Sequence, residues 1–141
     1  MLADIRDRLK TASPPFAAVE IAEDIEALQD RAGLVETGSI IVMPWREHAE
    51  PQVLATGGHR QRVEAQFMTA IVIRHYDDLM GGDRAVQFDT LKAAVEALLA
   101  GWQPDTADEP CELVGGESSP IEKGVSIYAQ TWATARFLTG A

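Results

Sequence analysis

The sequence predicts an α+β fold, a mainly antiparallel or mixed sheet of about four to five strands with two to three helices packed largely on one face. Residues 60–75 alternate for an unusually long way. Val63, Ala65, Phe67, Ile71 and Ile73 fall on one side with Thr69, and Glu64, Gln66 and Arg74 fall on the other around Met68, Ala70 and Val72. A period of two marks a strand, because successive side chains point to opposite faces. Residues 84–100 switch to the helical period, with Phe88, Leu91, Val95, Leu98, Leu99 and Trp102 in one stripe. The segments interleave as helix, strand, helix, strand, strand, helix, strand, strand.

Each element has a local reason. In residues 1–12, Leu2, Ile5 and Leu9 share one helical face, and Ser13-Pro14-Pro15 stops the helix. Residues 16–21 read as a short strand with Val19 and Ile21 flanking Glu20. Residues 24–32 read as a helix carrying Ile25, Leu28 and Ala32, with Gly33 as its stop. Residues 39–45 (SIIVMPW) are apolar on both faces, the pattern of a covered central strand, and Pro44 confines full pairing to its first part. Residues 46–59 read as a long polar loop ending in Gly57-Gly58. A loop of that length in a compact domain points to function or disorder.

The strand at 60–75 exceeds the usual ~3–10 residues, so it is expected to outrun its sheet and to invite a neighbouring subunit to pair with it. A loop over 77–83 follows. Asp83 is the expected N-cap of the main helix, which Gly101 and Pro104 end. Residues 103–110 form an acidic loop. Residues 111–114 and 125–138 read as strands, with Gly115-Gly116 and Ser118-Ser119-Pro120 breaking the region between. On the last strand Val125, Ile127, Ala129, Ala133, Ala135 and Phe137 make one face, whose small residues would let a helix approach closely. Tyr128, Gln130, Trp132 and Arg136 make the other face.

The 141 residues suit one domain with a real core. No apolar run approaches the ~20 residues of a membrane helix, and the start, MLADIRDRLK, has none of the apolar core of a secretory signal. Cys111 is alone, so no intrachain disulfide or thiolate cluster forms, and a reducing compartment fits. Twelve basic against 22 acidic residues leave a net charge of −10, opposite in sign to a free nucleic-acid binder. That charge suits a passage through which DNA slides better than a site that holds it.

Catalytic patterns are missing. His48, His59 and His75 match no metal-binding spacing, and the serines lie in no nucleophile elbow. The pairs Gly57-Gly58, Gly81-Gly82 and Gly115-Gly116 are not phosphate loops and read as positive-φ turns and bulges. No carboxylate pair has a general acid–base spacing; Asp105, Asp108 and Glu109 read as a solvated loop. Arg46, His59, Arg60 and Arg62 form a basic cluster around the long loop. It is either a docking surface for an acidic partner or solubility charge balanced by Glu47, Glu50 and Glu64. Trp102 is expected in the core, and Trp132, on the more polar face of its strand, at an interface.

Several segments in order resemble the tail terminator (tail completion) proteins of long-tailed bacteriophages. They are Val42-Met43-Pro44-Trp45-Arg46-Glu47, then Gly57-Gly58 with Arg60-Gln61-Arg62-Val63-Glu64, then Leu99-Ala100-Gly101-Trp102-Gln103-Pro104. Glu112-Leu113-Val114-Gly115-Gly116 and the last strand with Trp132 and Phe137 continue the match. It covers most of the chain from about Phe16 onward, and related sequences sit in prophages and gene-transfer particles. The resemblance implies a small α+β virion protein with no catalytic residue, cofactor or metal. Such a protein is assembled in the host cytoplasm as a ring, expected to be a hexamer, at the head-proximal end of the tail. Its implied partners are copies of itself, the tail tube protein and the head–tail connector protein. DNA would pass through the lumen without specific binding, and no membrane is involved.

A closed ring is a heterologous assembly and needs two different complementary patches on each subunit. The expected subunit contacts are Met68, Val72, Tyr128, Trp132 and Arg136. The expected partner-docking loop carries Arg46, His48, His59, Arg60 and Arg62. Two alternatives remain at this point: another head–tail connector or adaptor protein, and a small enzyme of unknown type.

Overall fold

The structure is a computed structural model that describes residues 1–11, 15–74, 82–122 and 124–140. The expected helix stop at Ser13 and Pro14, His75 and the loop through 77–81 lie outside the described residues. The elements are α1 (Leu2–Lys10), β1 (Val19–Ile21), α2 (Ile25–Ala32), β2 (Ser39–Ala49), β3 (His59–Arg74), α3 (Gly82–Leu99), β4 (Glu112–Glu122) and β5 (Val125–Gly140). The strands form one sheet in the order β1-β2-β3-β5-β4. β1 is parallel to β2 and every other pair is antiparallel, so the sheet is mixed and the fold is α+β as expected.

Two apolar clusters hold the sheet. Ile5 and Leu9 of α1 and Phe88, Leu91, Val95 and Leu99 of α3 pack with Phe67, Ile71, Ile73 and Trp132. Leu28 and Ala32 of α2 pack with Ile41, Met43, Ala70, Val72, Val125 and Ile127. Neighbours alternate between these clusters along β3, so α1 and α3 cover one face and α2 covers part of the other. Arg8 Nε ties α1 to the end of α3 by donating to the Leu98 carbonyl at 3.0 Å. Asp24 caps α2, its Oδ1 accepting from the Ala27 amide at 2.8 Å. Gly33 stands at the helix end with φ −72°, so its left-handed freedom is unused there.

Four sequence expectations change. The long strand β3 does not stand out alone: β5 pairs with it along its whole length and β2 pairs with it from Val63 to Val72. Three strands extend together, so β3 is central and the open edges belong to other strands. Residues 46–49 are strand, which shortens the loop to 50–58. Polar Arg46, Glu47 and His48 concealed this strand because that end of β2 is exposed. β4 runs unbroken through Gly115-Gly116 and Ser118–Pro120, with register shifts at Leu113/Gly115 and Pro120/Glu122. α3 begins at Gly82, so Asp83 lies inside its first turn rather than before it.

The face assignment of β5 also reverses. The main helix packs on the side of Tyr128, Gln130 and Trp132, not on the small-residue side. Gly116 answers to that packing rather than to a turn. A Cβ there would lie 2.9 Å from Tyr128 Oη, and the Tyr128 ring in turn stands 5.9 Å from that of Phe88. Gly57 and Gly58 do hold positive φ, 52° and 73°.

Candidate functional site

The chain's expected interface residues separate in the structure. Trp132 is fully buried opposite Phe67, and its indole N–H donates to Thr69 Oγ1 at 3.1 Å. Val72 is fully buried in the cluster with α2. Neither side chain can meet a partner, so both leave the interface. A strand face that looks polar in sequence proved to be the core face: Thr69 and Gln130 are buried under α3, Thr69 accepting from Trp132 and Gln130 keeping its Oε1 without a partner among the described residues. The Gln130 amide donates to Glu96 at 3.3 Å. Tyr128 is half-buried against Phe88, with Lys92 Nζ 4.9 Å from its ring centre. Met68 stays half-buried on the side away from α3, and Arg136 pairs with Glu47 at 3.1 Å.

The expected docking loop is mostly strand. Arg46 and His48 lie exposed on β2, and His59, Arg60 and Arg62 lie on β3. His59 Nε2 is 3.1 Å from Gln61 Oε1, and the Arg60 guanidinium sits 4.1 Å from the Phe137 ring centre. Arg62 is committed to structure. Its Nε and a terminal nitrogen each donate to Glu109 at 2.8 Å, and the other reaches Glu50 at 3.2 Å. That fork holds the Glu109 carboxyl below the ordinary glutamate range and raises the guanidinium further. Arg46 donates to Gln66 at 3.1 Å and has no carboxylate partner among the described residues.

Sequence reasoning missed the loop that follows α3. Asp108 and Glu109 are not merely solvated. The Asp108 amide donates to the Ala135 carbonyl at 2.8 Å, its Oδ2 accepts from the Phe137 amide at 2.8 Å, and the Glu109 carbonyl accepts from Thr134 at 2.5 Å. The loop thus continues the sheet beside β5 where β4 begins. Cys111 follows it, buried, and burial pushes its thiol up to about 11, which leaves little thiolate at neutral pH. No cluster of His, Cys, Asp and Glu suited to a metal ion occurs among the described residues.

What this end of the molecule offers is surface. Trp45 is 46% exposed, and Leu113 and Val114 at the start of β4 are 47% and 53% exposed. A cleft of about 520 Å³ opens beside Trp45, lined by Met1, Leu2, Pro44, Phe67 and the Glu47–Arg136 pair among others. Val53 and Leu54 are exposed in the β2–β3 connection. Apolar groups bared along strand edges fit association rather than small-molecule chemistry.

Comparisons with known proteins agree with that geometry. No curated protein matches the chain. Among solved structures, a chain of the "Virion of native gene transfer agent (GTA) particle" is similar, with TM-score 0.63 and 13% identity over 98% of this chain and 95% of that one. At such identity the likeness is one of fold. A family model described as phage tail terminator protein matches residues 2–140, nearly the whole sequence. The chain belongs to the phage tail terminator family, and it is a structural tail protein.

Proposed function

We propose that this protein assembles as a ring, a hexamer in its working form, at the head-proximal end of the tail tube. There it stops tube polymerisation and presents the surface on which the head is joined. The observation that carries this reading is the exposure of Trp45, Leu113 and Val114 on the open edges of a sheet whose central strand is buried from Phe67 to Ile73 apart from Met68. One such edge would aggregate; two unlike edges on one subunit suit a rotation that closes. The exposed β2–β3 connection supplies a contact for the tail tube. The net charge of −10 keeps a lumen from holding the DNA that passes through it.

Deletion of the gene tests the proposal. Tails of overlong tube, or complete tails that never join heads, are the expected result, seen by electron microscopy of lysates. Tails of normal length joined to heads would reject it.

A further inference from the structure

β1 and β4 are the two edges of the sheet, and they are unequal. β1 shields β2 only from Ile40 to Val42, so Met43–Ala49 of β2 has no strand on its outer side among the described residues. Opposite it, β4 has no strand on its outer side among the described residues. Each open segment carries a register shift, at Pro44/Arg46 in β2 and at Leu113/Gly115 in β4.

The register across the sheet aligns these two places. Pro44 pairs with Phe67, Phe67 with Trp132, and Trp132 with Leu113. Arg46 pairs with Gln66, Gln66 with Ala133, and Ala133 with Glu112. Pro44 and Leu113 therefore end one row of the sheet, and Arg46 and Glu112 end the next. Three antiparallel steps separate β2 from β4, so the two strands run in opposite directions. A rotation about an axis along the strands, with no slip, brings Leu113 of one copy to the Pro44–Trp45 step of the next. It also brings Glu112 to Arg46, in the antiparallel sense.

The chemistry at the two ends is complementary. Directly paired residues share a face, so Leu113 projects to the same side as Trp132, Phe67 and Pro44, the side on which the cleft beside Trp45 opens. An exposed Leu113 fits such a cleft. Glu112 and Glu117 are exposed on β4, and Arg46 and His48 are exposed on β2, while Glu47 is already taken by Arg136. Pro44, which has no N–H to offer, is a residue an edge tolerates.

We infer that the subunit junction is an edge contact between unlike strands of two copies of this chain. Leu113 of β4 enters the Trp45 cleft of the next copy, and Glu112 meets its Arg46. This rests on the ring reading above and assigns its contact.

The test uses the full chain with Leu113→Asp in one variant and Trp45→Asp in another, both at exposed positions. Sedimentation is followed over a concentration series, with circular dichroism as the folding check. Each variant alone is expected to lose the ring, with self-association weakened about tenfold or more. Mixed, the two are expected to give a dimer and nothing larger, since one intact β4 edge then meets one intact cleft. As a milder pair, Arg46→Glu and Glu112→Arg each weaken assembly and together restore it. Folded variants that assemble like the wild type, or a charge swap that restores nothing, would overturn the assigned contact while leaving the ring. A wild-type chain that stays monomeric both alone and with purified tail tubes would overturn the ring itself.

Discussion

The two halves of β3 differ, although one strand runs through both. From Phe67 to Ile73 every residue but Met68 is buried, because α1 and α3 cover one face and α2 the other. From His59 to Gln66 only Val63 and Ala65 are buried, and the polar residues between them remain half-buried or exposed. The first half of the strand is thus a rib laid on one apolar row, and the second is the centre of the core. The contrast separates stability from assembly: changes at the covered end should act on folding, and changes at the bared end on contacts with other molecules.

The two tryptophans give the largest test of that contrast. Trp132→Ala removes a fully buried ring and leaves Thr69 without its donor, so a loss of about 3–5 kcal/mol in unfolding free energy is expected by denaturant titration. Trp45→Ala, at a half-exposed site, is expected to cost far less while weakening self-association. Equal losses would erase the distinction between the halves.

The two neighbouring glycines of β4 sharpen it at a smaller scale. Gly116→Ala places a methyl 2.9 Å from Tyr128 Oη and 3.0 Å from its ring, and a cost of about 1–3 kcal/mol is expected. Gly115→Ala meets nothing within 4 Å and is expected to change the melting temperature little. The reverse order would mean that Tyr128 is not held against β4 by α3.

The smallest expected effect concerns the bared half's own brace. Glu109 sits below its unfolded value because of Arg62, so its contribution is present above the ordinary glutamate range near ~4.3 and is lost as pH falls through the folded value. The pair is half-buried, so the stake is about 0.5–1 kcal/mol. Glu109→Gln should lower stability at neutral pH by that amount and converge with the wild type in acid. A difference that persists unchanged at low pH would show that the fork is not what braces the loop.

Much of the fold was readable because period and chemistry agreed. The alternation around Phe67 and the stripe from Phe88 to Leu99 gave the main strand and main helix. β2 reads short in sequence because Arg46, Glu47 and His48 look like loop when both strand faces are wet. β4 reads as broken because Gly115-Gly116 looks like a turn, whereas Gly116 makes room for Tyr128, a long-range fact. Trp132 reads as an interface residue for the same reason. Thr69, Gln130 and Glu96 make a polar seam beneath α3, and only tertiary packing reveals that a polar face is inside. The pairing of Glu109 with Arg62 spans 47 residues, beyond any local signal.

The central claim is that copies of this chain complete one another through two unlike open edges. Mass measurement of the full chain, alone over a concentration series and with purified tail tubes, tests it most directly. Closed oligomers of one defined copy number, on the tubes if not before, are the predicted outcome. A chain that stays monomeric under both conditions and leaves tube ends bare would contradict it.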